Sequence, residues 1–214
     1  MQSFFGMTTD RQRLRAYFRG LRRQLMTKDR EAAVNQAVGG WLKTHAFGCV
    51  GFYAPMAGEP DIRPAVWEAV RSGRIGAAAY PVVDDKKARR MHYVQVTETT
   101  PLRPGAFGIE EPEEGLFVVP DVIFAPCAAV TPDGYRLGNG GGFFDVWLAE
   151  QADGRVTTVA VAAEGLVTAD FVPQSHDRPF QWLTTEAGVR RALPIIRNSK
   201  SAPGAAVKQK TEKL

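Results

Sequence analysis

The stretch that decides the fold is Gly134-Tyr135-Arg136-Leu137-Gly138-Asn139-Gly140-Gly141-Gly142-Phe143-Phe144-Asp145. An apolar run over residues 122–130 precedes it, and an amphipathic segment over residues 143–151 begins inside it. An apolar strand, a glycine-rich turn and a helix in this order are typical of an α/β unit. Glycine allows backbone N–H groups to turn toward one point, and the following helix adds its positive end. The stretch therefore predicts either an anion site, most often for phosphate, or a plain surface turn.

Length and composition indicate one globular domain. The chain has 214 residues, of which 44% are hydrophobic and 23% are charged, as in ordinary globular proteins. The two cysteines, Cys49 and Cys127, lie in apolar runs and are expected to be free thiols in a reducing compartment. The first five residues lack the basic and apolar regions of a signal peptide, and no apolar stretch is long enough to cross a membrane. We therefore expect a cytoplasmic protein.

The net charge of +4 comes from the end of the chain. Residues 197–214 contain five basic residues and one acidic residue, so that residues 1–196 sum to zero. The composition of the last segment is typical of disorder. We therefore predict a domain over residues 1–196 and a disordered basic tail over 197–214. An electroneutral domain argues against a nucleic-acid-binding face, although the tail could still contact an anionic polymer.

Helical and strand-like segments alternate along the chain. The patterns predict helices over 10–26, after Asp29, over 62–72 and over 143–151, and strands over 49–53, 76–83, 91–96, 122–130, 156–163 and 181–184. Residues 97–118 are rich in Pro, Gly and Glu and are predicted to be a long loop. The expected fold is a single α/β domain. It has a mostly parallel central sheet flanked by helices, in a Rossmann-like three-layer arrangement, with an N-terminal helical pair.

The glycine stretch does not match the two common nucleotide-binding motifs. The dinucleotide fingerprint requires glycine where Phe143 stands, and the mononucleotide P-loop requires a Lys-Ser or Lys-Thr pair that follows none of these glycines. A phosphate site therefore needs support from elsewhere in the chain.

That support comes from a resemblance to the 5-formyltetrahydrofolate cyclo-ligase (methenyltetrahydrofolate synthetase) family. The glycine stretch, after a proline that follows an apolar strand, is similar to the family's G-x-R-L-G-x-G-x-G-Y-Y-D. Four further blocks resemble the family in the same order: Arg11-Gln12-Arg13-Leu14-Arg15; Tyr53-Ala54-Pro55-Met56-Ala57-Gly58-Glu59-Pro60-Asp61; Phe107-Gly108-Ile109-Glu110-Glu111-Pro112; and Pro173-Gln174-Ser175-His176-Asp177-Arg178-Pro179 with Thr184-Thr185-Glu186. The resemblance extends from residue 11 to about residue 190.

The resemblance implies an ATP- and Mg²⁺-dependent ligase of one-carbon folate metabolism. Such an enzyme closes 5-formyltetrahydrofolate to 5,10-methenyltetrahydrofolate and releases ADP and phosphate. Catalysis of this reaction requires mainly that the protein position the reactants and stabilise charge around the transferred phosphoryl group.

The resemblance also assigns roles to individual residues, as follows. ATP would be bound by Arg11, Arg15, Gly138, Asn139, Gly140, Gly141, Gly142 and Phe143. Folate would be bound by Ala54, Met56, Glu59 and Phe144. The reacting groups would be held by Arg136 and Glu59, and Mg²⁺ would be held by Asp145 and Asp177.

Taken singly, these residues have simpler interpretations. The arginines of the first helix could form a solvated stripe, and Glu59 and Asp145 could be ordinary acidic residues at helix starts. Asp177 could belong to a local turn.

Several positions depart from the family pattern, and the pairs Val130-Thr131 and Phe143-Phe144 are the ones that leave the substrate open. Phe143 and Phe144 replace tyrosines, which removes two hydroxyl groups, and Thr131 replaces an acid. These changes favour, as one alternative, a paralogue that uses the same ATP chemistry on another N-formyl substrate. A second alternative is a non-catalytic nucleic-acid-binding relative that uses the arginine helix and the lysine tail. Under the leading interpretation the protein is a monomer that binds small molecules and no membrane.

Overall fold

The computed structural model describes residues 10–151 and 154–194. The predicted tail over 197–214 lies outside these residues. The described chain contains four α-helices: α1 (Arg11–Leu25), α2 (Lys28–Thr44), α3 (Arg63–Arg71) and α4 (Phe143–Glu150). Its strands are β1 (Phe47–Gly51), β2 (Ile75–Asp85), β3 (Arg90–Val96), β4 (Leu102–Pro104), β5 (Glu110–Pro112), β6 (Phe117–Val118), β7 (Val122–Pro126), β8 (Ala129–Val130), β9 (Arg136–Leu137), β10 (Thr157–Val161), β11 (Trp182–Thr185) and β12 (Gly188–Arg191). Short 3₁₀ helices cover Ala106–Gly108 and Glu164–Leu166.

Eight of the strands form one sheet in the order β12-β11-β10-β7-β1-β2-β3-β6. The five central strands, from β11 to β2, are parallel to one another. The strands at both edges, β12 on one side and β3 and β6 on the other, pair antiparallel. The predicted α/β fold with a mostly parallel central sheet is thereby confirmed.

The sheet separates two hydrophobic cores, which makes the domain three layers thick. One core contains Leu14 and Phe18 of α1 and Trp147 of α4, and the opposite core contains residues of α2 and α3. Adjacent residues of β7 enter different cores: Ile123 packs in the first and Phe124 in the second. A strand that is covered on both faces has apolar residues at successive positions. This explains why β7 begins the continuous apolar run over residues 122–130.

The first two helices begin at side-chain caps. The Asp10 carboxylate accepts hydrogen bonds from the backbone N–H groups of Gln12 and Arg13, and the Thr27 hydroxyl accepts one from Arg30 N–H. These bonds satisfy amide groups that have no partner within the helix. None of the helices in the described residues is long and apolar enough to cross a membrane.

The strand order reverses between β1 and β7. The chain continues from β1 to its neighbour β2 on one side, and from β7 to β10 on the other. Loops that leave the carboxyl ends of two such strands diverge and open a crevice, where open α/β sheets bind ligands. Residues 52–59 follow β1, and the glycine stretch follows β7 by way of β8 and β9. The fold therefore places both segments at the same edge of the sheet.

Three segments differ from the sequence-based expectation. The predicted loop over 97–118 contains the β4–β5 hairpin and β6. The predicted strand over 122–130 ends at Pro126, which has no N–H to continue a ladder, and its last two residues form β8, which pairs with β9. The strand predicted to be the last in the chain is followed by β12, which turns back antiparallel along it.

Candidate functional site

The glycine loop, defined as residues 138–142, connects β9 to α4. Gly140 and Gly142 have backbone φ angles of 113° and 71°, in a region that favours glycine. Gly142 is the N-terminal cap of α4. The first amide groups of α4 therefore follow the loop directly, in the arrangement that helix N-termini use to bind anions.

Two arginines of α1 lie against or near this loop. Arg15 Nε donates a 3.2 Å hydrogen bond to the carbonyl of Gly138. A Cβ atom built on Gly140 would lie 3.6 Å from both Arg15 Cδ and Nε, so the guanidinium covers a backbone that carries no side chain. Burial lowers the pKa of Arg15, and the positive charge of Arg11 lowers it further. The loop therefore lies in a region of concentrated positive charge. A bound anion would reduce the repulsion between these charges.

Arg136 precedes the loop and is almost fully buried. Its guanidinium carbon lies 5.0 Å from the centre of the Phe144 ring and 4.8 Å from that of Phe180. Its Nη2 is 3.4 Å from Asp145 Oδ1 in the first turn of α4, and its Nε has no hydrogen-bond partner. The two rings fix the planar group in place by cation–π contact, and at least one N–H remains available.

Glu59 is enclosed by three donors from three segments. Arg22 Nη1 lies 2.8 Å from Glu59 Oε1, Asn139 Nδ2 lies 2.9 Å from the same oxygen, and the backbone N–H of Met56 lies 2.9 Å from Oε2. Only 1% of the Glu59 side chain is exposed. Both carboxylate oxygens are therefore occupied by protein donors.

Asp177 lies beside α1. Arg11 Nη1 and Nη2 lie 2.7 and 3.3 Å from its two oxygens, and Gln174 N–H lies 2.8 Å from Oδ2. Asp145 has looser contacts, with Arg136 Nη2 and Arg178 N each at 3.4 Å. Within residues 10–151 and 154–194, no three His, Cys, Asp or Glu side chains group closely enough to hold a metal ion by themselves.

A family comparison identifies the chain. The model of the 5-formyltetrahydrofolate cyclo-ligase family matches residues 7–186. The chain belongs to this family. The resemblance inferred from five sequence blocks is thereby confirmed.

Solved structures of the same family adopt this fold. The 5,10-methenyltetrahydrofolate synthetase of Aquifex aeolicus is 28% identical, with a TM-score of 0.69, over 93% of this chain and 99% of its own. The synthetase of Mycoplasma pneumoniae is 19% identical, with a TM-score of 0.67, over 83% of this chain and 99% of its own, and supports the fold alone. No curated protein sequence matched the chain.

The structure of this cyclo-ligase family member brings most of the predicted site residues together around the glycine loop. Arg15, Asn139 and Met56 contact the loop or belong to it, and Asn139 also lies 3.6 Å from Met56 Sδ. The Phe143 ring lies 5.7 Å from the ring of Phe107, whereas Phe144 contacts Arg136. Ala54 is buried in the core that contains α2 and α3. Arg11 joins the group through its pair with Asp177.

Sequence reasoning assigned no role to Arg22, which the structure places at the centre of the Glu59 cluster. Only 3% of its side chain is exposed, and its Nη2 also donates to the carbonyl of Ala57 at 3.2 Å. A signal was present, because Arg11, Arg15 and Arg22 are separated by four and seven residues. These spacings of about one and two turns put them on one face of α1, beside buried Leu14 and Phe18.

Proposed function

We propose that this protein catalyses the ATP- and Mg²⁺-dependent cyclisation of 5-formyltetrahydrofolate to 5,10-methenyltetrahydrofolate, with release of ADP and phosphate. The observation that carries the proposal is the direct bond between Asn139 and Glu59. It joins a glycine loop suited to phosphates with the carboxylate that the family resemblance assigns to folate. A reaction between ATP and a folate formyl group requires this proximity.

The residues present fit the ATP phosphates. The loop has glycine at its two left-handed positions, α4 begins at Gly142, and Arg15 covers Gly140. Arg136 offers a buried guanidinium with an unpartnered Nε. Backbone amides and arginines of this kind bind phosphate by charge-assisted hydrogen bonds. We assign ATP to this loop, with Arg11 held by Asp177 as an additional positive charge.

Asp145 could hold Mg²⁺ together with the phosphates of ATP, without a metal site made of protein ligands alone. Mg²⁺ is commonly bound by one or two carboxylates together with substrate phosphates. Asp145 is 18% exposed, and its contacts of 3.4 Å hold it only weakly. When bound there, Mg²⁺ would neutralise phosphate charge. Asp177 is already occupied by Arg11 and Gln174 N–H, so we assign the metal to Asp145 first.

The chemistry then needs little covalent participation from the protein. The formyl oxygen of the folate attacks the γ-phosphorus of ATP, and ADP departs. N10 closes on the activated formyl carbon, the original formyl oxygen leaves with phosphate, and the departing phosphate takes up the N10 proton. Arg136 stabilises the charge on the transferred group, and Glu59 orients the pterin through its amino and ring N–H groups. The protein contributes mainly alignment.

One experiment tests the activity. Purified protein is mixed with 5-formyltetrahydrofolate, ATP and Mg²⁺, and the near-ultraviolet absorbance of the methenyl product is followed. We expect the signal only when all three are present, with ADP released in equal amount. Folded protein that binds ATP but produces no methenyl signal would contradict the folate assignment.

The phenylalanine pair favours a second candidate substrate class. Phe143 and Phe144 provide ring surface without the hydroxyl groups of the family's tyrosines, so a different N-formyl compound could use the same phosphoryl chemistry. ATP consumption measured against a panel of N-formyl substrates separates the two candidates. We also propose, from the sequence, that the protein is a monomer located in the cytoplasm.

A further inference from the structure

Within the described parts of the chain, two residues other than glycine have a left-handed backbone. The side chains of both lie next to residues at the α4 end of the glycine loop. Arg89 has a φ of 57° and Phe107 a φ of 59°. The Phe107 ring contacts that of Phe143, and the Arg89 side chain lies against Gly142. Non-glycine residues adopt this conformation at a cost, and such residues cluster at functional sites.

Arg89 reaches the loop from the hairpin between β2 and β3. Asp85 Oδ1 accepts hydrogen bonds of 2.8 and 2.9 Å from the N–H groups of Lys87 and Ala88, which fixes the turn just before Arg89. A Cβ atom built on Gly142 would lie 3.5 Å from both Arg89 Cδ and Arg89 Nη1. The guanidinium therefore lies over a glycine that presents only backbone.

The charge of Arg89 is not neutralised by a carboxylate among residues 10–151 and 154–194. The adjacent Arg90, by contrast, forms an ion pair with Asp85 at 3.8 Å. Lys86, in the same turn, places its Nζ 5.1 Å from the centre of the Phe107 ring. The hairpin therefore brings two positive charges to the α4 end of the glycine loop, where the helix already favours an anion.

We propose that Arg89 is a phosphate-binding residue for ATP, acting from the β2–β3 hairpin. Arg15 covers Gly140 from α1 and Arg89 covers Gly142 from the hairpin, so two arginines from separate elements bracket the loop. The inference rests on the proposed function, and it adds a phosphate ligand that lies outside the five sequence blocks that resemble the family.

An anionic oxygen at this position could also belong to a carboxylate of the folate tail. The position favours phosphate. Gly142 is the cap of α4, and its neighbours offer the helix amide groups. The carboxylate that we assign to folate, Glu59, contacts the loop at Asn139, near its opposite end. The two sources predict different kinetic effects, which the following experiment separates.

The test compares Arg89→Met with Arg90→Met. The two residues are adjacent, both are exposed, and both substitutions remove one positive charge. We expect Arg89→Met to raise the KM for ATP about tenfold and to leave the KM for 5-formyltetrahydrofolate within about twofold. Arg90→Met should change neither. Arg89→Lys, which keeps the charge but not the fork geometry, should restore part of the affinity.

A second variant separates ligand binding from a structural role. Arg89→Gly removes both the guanidinium and the left-handed strain, so the melting temperature should rise by about 2 °C while ADP binding weakens. A purely structural arginine would shift both quantities in the same direction. Calorimetric titration with ADP alone measures this affinity even if the folate activity is absent, so failure of the proposed function remains distinguishable.

Three results would overturn the proposal. An increased KM for folate with unchanged KM for ATP would assign Arg89 to the folate carboxylate. Equal increases of the KM for ATP in Arg89→Met and Arg90→Met would indicate that ATP responds to the overall positive charge of the hairpin and makes no specific contact with Arg89. An unchanged KM for ATP in Arg89→Met, together with unchanged ADP affinity in both Arg89→Met and Arg89→Gly, would exclude a phosphate contact.

Discussion

Asn139 Nδ2 donates a 2.9 Å hydrogen bond to Glu59 Oε1 and so joins the glycine loop to the carboxylate that we propose binds folate. The amide orientation is chemically determined, since a carboxylate accepts only from the NH₂ group. Asn139 Oδ1 is consequently left buried with no partner. A folate N–H group can reach Glu59 Oε1 only by displacing Asn139 or Arg22. We infer that Asn139 occupies the position of a substrate donor before folate binds.

Removing this competing donor should favour folate binding. We expect Asn139→Ala to lower the KM for 5-formyltetrahydrofolate about fivefold, which corresponds to one hydrogen bond of about 1 kcal/mol. Asn139→Asp should have the opposite effect and reduce stability, because two carboxylates would then face each other. Steady-state kinetics and thermal unfolding of both variants provide the measurement. A higher folate KM in Asn139→Ala would mean that Asn139 assists the substrate instead.

Arg22 should be required for stability because it neutralises Glu59 inside the protein. Truncating one partner of a buried pair leaves the other charge uncompensated, so we expect Arg22→Met to lower the free energy of unfolding by about 3–5 kcal/mol. Arg23→Met is the matched control, because Arg23 is the exposed neighbour on the same helix. Urea titration measures the free energy of unfolding of both variants. A double variant, Arg22→Met with Glu59→Leu, should recover much of the loss, and a failure to recover any would contradict the pairing argument.

The sequence predicted the elements that depend on local patterns. The pattern of apolar and polar residues located the four helices of the described residues. The central strands were found because a strand buried on both faces leaves an uninterrupted apolar run. The glycine loop was located by composition alone.

What the sequence could not predict depends on distant contacts. Arg22 is one of several arginines on α1, and its burial follows from Glu59, which lies 37 residues away. Arg89 meets Gly142 only because the β2–β3 hairpin folds over α4. The strand over 122–130 divides after Pro126 because β8 finds a different partner, β9. Such pairings are decided by tertiary structure rather than by local propensity.

Cys49 should react slowly as a nucleophile at neutral pH. Burial raises its pKa to about 11, and the negative charge of Asp121 contributes. Only the thiolate is alkylated, so the rate in a Cys127→Ala background should keep rising about tenfold per pH unit up to pH 10, without the plateau of an ordinary thiol. Asp121→Asn removes the repulsion, lowers the pKa and should raise the rate at pH 8. Iodoacetamide labelling followed by mass spectrometry gives the profile, and a plateau near pH 9 would contradict it.

The two proposed metal carboxylates should respond differently to truncation. Asp145 contacts its neighbours only at 3.4 Å, so Asp145→Ala should change the free energy of unfolding by less than about 1 kcal/mol. Its turnover should nevertheless fall at least about 100-fold, because one Mg²⁺ ligand is lost. Asp177→Ala should instead destabilise the protein by about 1–3 kcal/mol, since Arg11 and Gln174 N–H lose their acceptor.

Asp145→Asn completes the comparison because it preserves shape and removes only the charge. Turnover is measured over a range of Mg²⁺ concentrations, and unfolding is followed by urea titration. If Asp145 holds the metal, the Asn variant should need more Mg²⁺ for half-maximal rate, while Asp177→Ala at saturating ATP should keep the wild-type Mg²⁺ dependence. An unchanged Mg²⁺ requirement in Asp145→Asn, together with a raised one in Asp177→Ala, would transfer the metal to Asp177. In that case Arg11 would have to release the carboxylate before Mg²⁺ could bind.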